Sequence, residues 1–179
     1  MRTFLAVRVP EHIRKVIHEF AQIEEKKELP IKWVVFENLH ITLKFLGEID
    51  EKKKVEMAPV ITGICKKHSP FQVRLEGLGC FPDPRNPKVL WVGVKEGNTQ
   101  LYDIAAELEK GLAHVGFKEE KRFHPHLTIG RIKKHCKVDD ILANNISTDA
   151  FGVDSVVLFK STLKPTGPVY EELDRFALL

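Results

Sequence analysis

Two short stretches of the chain each combine a histidine and a threonine at positions i and i+2. They are His40-Ile41-Thr42 and His126-Leu127-Thr128. Side chains alternate between the two faces of an extended strand, so the histidine and threonine of each stretch point the same way and the aliphatic residue points the other way. An imidazole with a pKa near 6.5 can be neutral or charged close to neutral pH. Two such strands side by side would therefore supply a general base, a general acid and two hydroxyl donors.

The two motifs are the only internal repeat in the sequence. His126 follows His40 by 86 residues, close to half of the 179-residue chain. The sequence patterns predict the element order strand, helix, two strands, helix, two strands, helix, strand, short helix and hairpin. This order lacks the strict alternation of a doubly wound sheet and predicts an α+β fold with mainly antiparallel sheets and flanking helices. A chain of this length predicts a single domain over residues 1–179.

Local signals place the ends of the helices. Pro10 opens the first helix, because proline at a helix start forfeits no intrahelical hydrogen bond. Asp50 and Asn98 are the predicted N-caps of the second and third helices. Pro59 falls inside the second helix, and we expect it to kink or split that helix.

Strict alternation also assigns faces to the residues that follow each motif. It places Phe45 in the core and Lys44 on the same face as the histidine of its motif. It places Arg131 on the face opposite His126, unless Gly130 permits a β-bulge that reverses the alternation.

Composition defines the broad class of the protein. With 43% hydrophobic and 30% charged residues, the chain can fill a core and solvate its surface, which argues against a disordered protein. The net charge of +3 permits a local basic cleft without requiring a polyanionic partner.

Cys65, Cys80 and Cys136 are widely spaced, which argues against a disulfide framework or a thiolate zinc site. Without a signal peptide or an apolar run of ~20 residues, we expect a cytoplasmic protein that does not contact membranes.

The motifs and their surroundings resemble a known family. His40–Gly47 and His126–Arg131 are similar to the tandem motifs of the two-histidine phosphoesterases, and most similar to the RNA 2′,3′-cyclic phosphodiesterase branch, also called 2′-5′ RNA ligase. The resemblance covers nearly the whole chain. Segments similar to that branch also occur at Arg2–Val7, Pro87–Gly93, Ser161–Leu163 and Gly167–Tyr170.

The resemblance implies a fold, an activity and a set of site residues. Two pseudo-symmetric lobes would face each other across an active-site cleft, each supplying one motif. The implied reaction is hydrolysis of RNA 2′,3′-cyclic phosphate ends to a 2′-phosphate, with reversible 2′-5′ ligation as a further activity of the branch. Because neither motif contains a carboxylate, we expect the reaction to need no metal or other cofactor. The resemblance makes His40 the acid and His126 the base, although the near symmetry of the motifs does not say which is which. Thr42, Thr128 and Arg131 would bind the phosphate.

The implied substrate is an RNA with a 2′,3′-cyclic phosphate end, such as a tRNA half, or a small cyclic nucleotide. We expect a monomer.

A metal-dependent hydrolase is a first alternative. His124 shares the face of His126, and two histidines at i and i+2 can bind one ion, with His40 or His135 as a third ligand. Neither motif contains the carboxylate that commonly accompanies such ligands. A single histidine on a strand face can also be purely structural.

A second alternative is a module that binds nucleotides or RNA without turnover. Three aromatic residues could stack on bases, and three lysines could hold phosphates; they are Phe45, Trp91 and Tyr170, and Lys44, Lys160 and Lys164. The plainer interpretation makes the aromatic residues part of the core and the lysines solvated.

Overall fold

The computed structural model describes residues 1–120 and 122–179. Over these residues the chain forms nine β-strands and four α-helices: β1 (Arg2–Arg8), α1 (Glu11–Glu25), β2 (Ile31–Trp33), β3 (His40–Glu48), α2 (Glu51–Cys65), β4 (Phe71–Phe81), β5 (Val89–Glu96), α3 (Asn98–Ala113), β6 (His126–Ile132), α4 (Asp139–Leu142), β7 (Phe151–Val153), β8 (Ser155–Lys164) and β9 (Gly167–Ala177). A short 3-10 helix, Phe36–Asn38, lies just before β3.

The strands form two antiparallel sheets. Their strand orders are β3-β1-β8-β9 and β2-β6-β5-β4-β7, and each pairing is antiparallel. The predicted α+β class is confirmed. Strand β3 forms one edge of the first sheet and contacts β6 of the second sheet. The two predicted motif strands therefore lie against each other where the sheets meet.

A large cluster of buried aliphatic side chains fills the space between the sheets and the helices. Fully buried members come from both halves of the chain, among them Leu5, Ile41, Ile61, Leu108 and Leu127. Their burial removes apolar surface from water, which is the dominant stabilising contribution to the fold. Strands β3 and β6 are anchored in this cluster by the aliphatic residues of their own motifs.

Helix α2 begins as predicted but is not split by its proline. The Asp50 carboxylate accepts a hydrogen bond from the Lys53 backbone N–H at 2.7 Å, which confirms the N-cap. The helix continues through Pro59 to Cys65. Pro59 cannot donate to the Val55 carbonyl, and because both residues are exposed, water can take the place of that hydrogen bond.

Helix α3 corrects the predicted cap at Asn98. Asn98 is already the first helical residue, and Gly97 precedes it as N-cap with a φ of 81°. The Asn98 side chain donates to the Val94 carbonyl at 3.4 Å. The glycine turns the chain out of β5 in a left-handed conformation that other residues adopt only under strain. The Asn98 prediction was therefore wrong by one residue.

The first motif strand contains two residues without a partner in β1, Leu43 and Leu46. Along the β1–β3 ladder, Ala6 pairs with Thr42, whereas the next residue of β1, Leu5, pairs with Lys44. Leu43, the residue that follows the motif threonine, is therefore an unpaired extra residue of the kind that defines a β-bulge. Between Leu43 and the second unpaired residue, Leu46, the alternation of β3 is reversed.

The second motif strand contains an extra residue at the equivalent position. Along the β5–β6 ladder, Trp91 pairs with Thr128 and Leu90 pairs with Gly130. Ile129, again the residue that follows the motif threonine, has no partner of its own. The two motif strands thus share a bulge as well as a sequence pattern.

These bulges decide three of the predicted orientations. Phe45 is 62% exposed and packs against Phe4 on the face of His40, so its predicted place in the core was wrong. Lys44 is only 4% exposed, so its predicted place on the motif face was also wrong. Strict alternation would place Arg131 on the face opposite His126. Because Ile129 is an extra residue in the strand, Arg131 instead lies on the same face as His126.

Candidate active site

His40 is held by hydrogen bonds at both ring nitrogens. Its Nδ1 lies 2.6 Å from the Asn38 carbonyl oxygen. A carbonyl can only accept a hydrogen bond, so Nδ1 must carry the proton in the neutral ring and Nε2 must carry the lone pair. That lone pair accepts a hydrogen bond from the Thr42 hydroxyl at 2.8 Å. Nε2 is therefore the nitrogen that can exchange a proton with a substrate.

His126 is oriented in the same way. Its Nδ1 lies 2.6 Å from the carbonyl oxygen of His124, again the residue two positions earlier. The Nε2 of His126 is thus the reactive nitrogen of the second motif. Among the described residues, no hydrogen bond joins His126 to Thr128, so the threonine hydroxyl of the second motif is not engaged by its own histidine.

Aromatic rings surround His40 and lower its basicity. Phe4 stacks on the imidazole, with ring centroids 4.9 Å apart, and Tyr170 meets it edge-on at 5.3 Å. Burial lowers the pKa of His40 to about 4, the hydrogen bond to Asn38 opposes the decrease, and the charge of His126 adds to it. Charged imidazole loses hydration among these rings, so the neutral form is favoured.

His126 lies in a second aromatic environment. Phe81 meets its ring edge-on, with centroids 5.0 Å apart, and the Trp91 ring lies 6.2 Å away. Trp91 lies flat over Gly79, where an added Cβ would come within 2.2 Å of the indole. Burial is the largest cause that lowers the pKa of His126, and the nearby charge of Arg131 acts in the same direction.

The two motifs share one electrostatic environment. The charge of His126 influences His40 on the other sheet, and the charge of Arg131 influences both His126 and Tyr170 of the first sheet. Thr42 follows His40 on the same face of β3, and Thr128 follows His126 on β6. All five predicted site residues are therefore found together where the sheets meet.

Two aromatic residues beside the histidines were missed by sequence reasoning. Phe4 belongs to a strand whose two faces are both apolar at its centre, so alternation does not mark it. Phe81 ends β4 just before a proline-rich loop and carries no local signal. Trp91 and Tyr170 were predicted either to stack on bases or to pack, and both contact the histidine rings.

Lys44 connects the first motif strand to the segment that leads into the second. Its Nζ lies 2.5 Å from Glu109 Oε2 of α3 and donates to the Lys118 carbonyl at 2.9 Å. The same Glu109 oxygen accepts a hydrogen bond from the Glu120 backbone N–H at 2.8 Å. A buried lysine needs such a partner because an isolated charge is costly away from water. Lys44 is therefore a structural residue rather than a phosphate ligand on the motif face.

The other two predicted lysines make few contacts. Lys160 Nζ lies 3.8 Å from a Glu171 carboxylate oxygen, and Lys164 is exposed at the end of β8.

The alternative metal site is not assembled from its predicted ligands. Among residues 1–120 and 122–179, no group of three histidine, cysteine, aspartate or glutamate side chains could hold a metal ion. His135 instead contacts the Arg85 carbonyl oxygen through Nε2, at 2.9 Å. His124 packs its ring against Trp91 at 5.1 Å.

Within the same described ranges, none of the helices combines the length and the apolar character needed to cross a bilayer.

Two antiparallel sheets that meet at paired His-x-Thr strands define a two-histidine phosphoesterase. The chain belongs to the 2′-5′ RNA ligase superfamily, whose family model matches residues 9–163.

Individual relatives are similar over almost their full length. The RNA 2′,3′-cyclic phosphodiesterase of Methanocaldococcus jannaschii is 40% identical over 176 residues, which cover 96% of this chain and 97% of the relative. The enzyme of the same name from Aquifex aeolicus is 40% identical over 173 residues, 92% of each chain. Among solved structures, a Thermus thermophilus protein has a TM-score of 0.79 at 31% identity, covering 99% of this chain and 98% of that one. Escherichia coli LigT in complex with NADP⁺ has a TM-score of 0.82 at 26% identity, covering 99% and 96%.

Proposed function

We propose that the chain hydrolyses RNA 2′,3′-cyclic phosphate ends to 2′-phosphates by paired-histidine acid–base catalysis. The observation that supports this most is the matched orientation of His40 and His126. Each ring donates from Nδ1 to the carbonyl of the residue two positions earlier, so Nε2 is the nitrogen that can exchange a proton with the substrate; in the free protein the Nε2 of His40 is held by the Thr42 hydroxyl. The names of the relatives, RNA 2′,3′-cyclic phosphodiesterase, point to the same reaction.

The chemistry requires one neutral and one protonated imidazole. Neutral Nε2 of His126 would take a proton from water as the water oxygen forms a bond to phosphorus. Protonated Nε2 of His40 would give its proton to the 3′ oxygen as the bond from phosphorus to that oxygen breaks, leaving a 2′-phosphate and a 3′-hydroxyl. Thr42, Thr128 and Arg131 would stabilise the charge on the phosphoryl oxygens.

The low pKa of His40 does not prevent it from acting as the acid. In the free protein a pKa of about 4 leaves His40 neutral at pH 7. A phosphodiester anion about 4 Å away stabilises the imidazolium by ~4 kcal/mol at an effective dielectric constant near 20. Since ~1.4 kcal/mol corresponds to one pKa unit, the bound substrate would raise the pKa of His40 by about 3, toward neutrality. Binding of the substrate would thus favour the protonated form of His40, which is the form that can act as the acid.

The roles of the two histidines can be separated with a modified substrate. A 2′,3′-cyclic phosphate in which sulfur replaces the 3′ oxygen has a leaving group that needs no protonation, because thiols are far more acidic than alcohols. This substrate should restore turnover to His40→Ala and leave His126→Ala inactive. Rescue of His126→Ala instead would reverse the assignment.

The central experiment uses a short RNA that ends in a 2′,3′-cyclic phosphate. After treatment of the protein with a chelator, we expect conversion to the 2′-phosphate, identified by its phosphorus NMR signal. His40→Ala and His126→Ala should each abolish turnover, and their losses should not add because both residues act in one transition state. A 3′-phosphate product, or substantial activity in either variant, would contradict the proposal. Binding of the RNA without turnover would favour a binding module instead.

The same pair of histidines would also support ligation. With a 5′-hydroxyl RNA in place of water, the same roles form a 2′-5′ linkage from the cyclic end. His126 would take the proton of the 5′-hydroxyl as its oxygen bonds to phosphorus, and His40 would give its proton to the departing 3′ oxygen. Incubation of both RNAs at high concentration, followed by analysis of the linkage, tests this direction. We further propose that residues 1–179 act as one bilobal, monomeric unit without a cofactor, which light scattering and activity after dialysis would check.

A further inference from the structure

Positively charged side chains converge beside the proposed active site at Tyr170. Lys32 and Arg131 are direct partners in the β2–β6 ladder and therefore project from the same face of the sheet. The Lys32 side chain extends to the turn between β8 and β9, where a Cβ added to Gly167 would lie 3.9 Å from its Nζ. Lys32 thus reaches from the second sheet to the hairpin of the first, next to the strand that holds Tyr170.

Arg2 approaches Tyr170 from the first sheet. It lies two residues before Phe4 in β1, so the two side chains share the face on which Phe4 meets Tyr170 edge-on. Burial raises the pKa of Tyr170, and the positive charges of Arg131 and Arg2 counteract part of that increase. The phenol therefore lies within the field of both guanidinium groups.

These cations differ from the charged residues on the other side of His40. In the part of the chain that the structure describes, Arg2, Lys32 and Arg131 form no ion pair and no side-chain hydrogen bond. Arg8, which pairs with His40 across the β1–β3 ladder, is instead bound to Glu172. Arg175 binds the same carboxylate at 2.9 Å. The two arginines near His40 therefore share one carboxylate, whereas the cations on the Tyr170 side have, among the described residues, no carboxylate within ion-pair distance.

We propose that Lys32 and Arg2 bind the backbone phosphates of single-stranded RNA upstream of the cyclic end, so that the RNA leaves the active site past Tyr170. This inference rests on the proposed function and deepens it, because it defines the substrate as an RNA chain rather than a mononucleotide. An unpaired cation can bind a phosphate without first losing a carboxylate partner, whereas Arg8 would have to give up Glu172. Tyr170, whose phenol lies in the field of Arg2 and whose strand begins at the turn that Lys32 reaches, offers a ring that can stack on a base.

The test compares two substrates that share the reacting group. Adenosine 2′,3′-cyclic phosphate has no upstream phosphate, and a tetranucleotide with the same 3′ end has several. Lys32→Gln and Arg2→Gln should each lower kcat/KM for the tetranucleotide by up to about five-fold, the upper end of the range for an exposed ion pair, and leave the mononucleotide unchanged. Arg8→Gln is the matched control, since it removes an exposed arginine on the same sheet face. It should not change the ratio between the two substrates.

Salt dependence supplies a readout that a structural role would not alter. For single-stranded RNA, the slope of log(kcat/KM) against log(salt) should decrease by about 0.7 for each phosphate that the protein no longer neutralises. We expect that decrease in Lys32→Gln and Arg2→Gln with the tetranucleotide only. Both residues are exposed, and unchanged thermal unfolding would show that the variants fold.

Several results would overturn the inference. If Lys32→Gln and Arg2→Gln lowered kcat/KM equally for both substrates, their role would be structural. If neither variant lowered kcat/KM for the tetranucleotide, the upstream RNA would bind elsewhere. If only Arg8→Gln changed the ratio of kcat/KM between the tetranucleotide and the mononucleotide, the upstream RNA would bind on the opposite side of His40. If the natural protein hydrolyses neither substrate, the proposed function fails, and fluorescence anisotropy of the labelled tetranucleotide then decides the inference alone. Weaker binding in Lys32→Gln would support the path past Tyr170, and equal binding would overturn it.

Discussion

The pH dependence of catalysis tests the electrostatics of the paired histidines most directly. Unperturbed histidines would place the maximum rate near neutrality. Burial lowers the pKa of His40 to about 4 and also lowers the pKa of His126. The profile of kcat/KM reports the free enzyme, which must hold one proton on the pair. We therefore expect a bell-shaped profile whose maximum lies on the acidic side of pH 6.5.

The profile of kcat should lie at higher pH, because it reports the complex with substrate. The phosphodiester anion stabilises imidazolium by ~4 kcal/mol at about 4 Å. This corresponds to an upward displacement of the acidic limb by about 3 pH units. The distance between the two profiles thus measures how strongly the substrate raises the pKa of the histidine pair. The apparent values belong to the pair and not to either residue.

Initial rates with a nucleoside 2′,3′-cyclic phosphate, measured from about pH 4 to about pH 9, provide both profiles. Circular dichroism at each pH controls for acid unfolding. Coincident profiles, or a kcat/KM maximum at or above neutrality, would show that His40 and His126 are not the groups whose protonation limits the reaction.

Four further predictions concern single features of the structure. Thr42→Val and Thr128→Val should each raise the activation free energy by roughly 2 to 4 kcal/mol, the range for a lost oxyanion donor, and unchanged kcat would contradict a phosphate-binding role. Lys44→Met should destabilise the fold by about 3 to 5 kcal/mol in urea unfolding, because Glu109 is left buried and unpaired, and Lys44→Met with Glu109→Leu should recover most of that loss. Since His40 binds a proton less readily in the folded chain than in the unfolded one, the free energy of unfolding should decrease by at most about 3 kcal/mol as the pH falls from 6.5 toward 4, and His40→Gln should lack this contribution. Chelation should leave turnover intact, and a loss that zinc or manganese restores would favour a metal mechanism.

The sequence predicts the motif strands well because their information is local. His40 and Thr42 share a face simply because they are two residues apart, and the same holds for the second motif. The orientation of each imidazole depends on a backbone carbonyl, that of Asn38 or of His124, which no side-chain pattern encodes. The pairing of the two strands depends on contacts between distant parts of the chain.

The orientations that were wrong share one physical cause. Lys44 and Phe45 follow Leu43, the first extra residue in β3, and directly after it the alternation of side chains is reversed. Sequence reasoning could name Gly130 as a place where a bulge would reorient Arg131, because glycine in a strand often marks one. No glycine lies next to Leu43, so the sequence of β3 contains no signal that predicts this bulge.

The equivalent bulges give the two halves of the site a shared backbone but different surroundings. The third residue after the motif threonine faces the site in both strands, and it is Phe45 in β3 and Arg131 in β6. Two related imidazoles alone would accept a phosphodiester in either of two opposite orientations with equal ease. A guanidinium on one side and an aromatic ring on the other remove that equivalence. We expect this difference to give the reaction a direction, so that one imidazole always faces the entering water and its counterpart always faces the departing ribose oxygen.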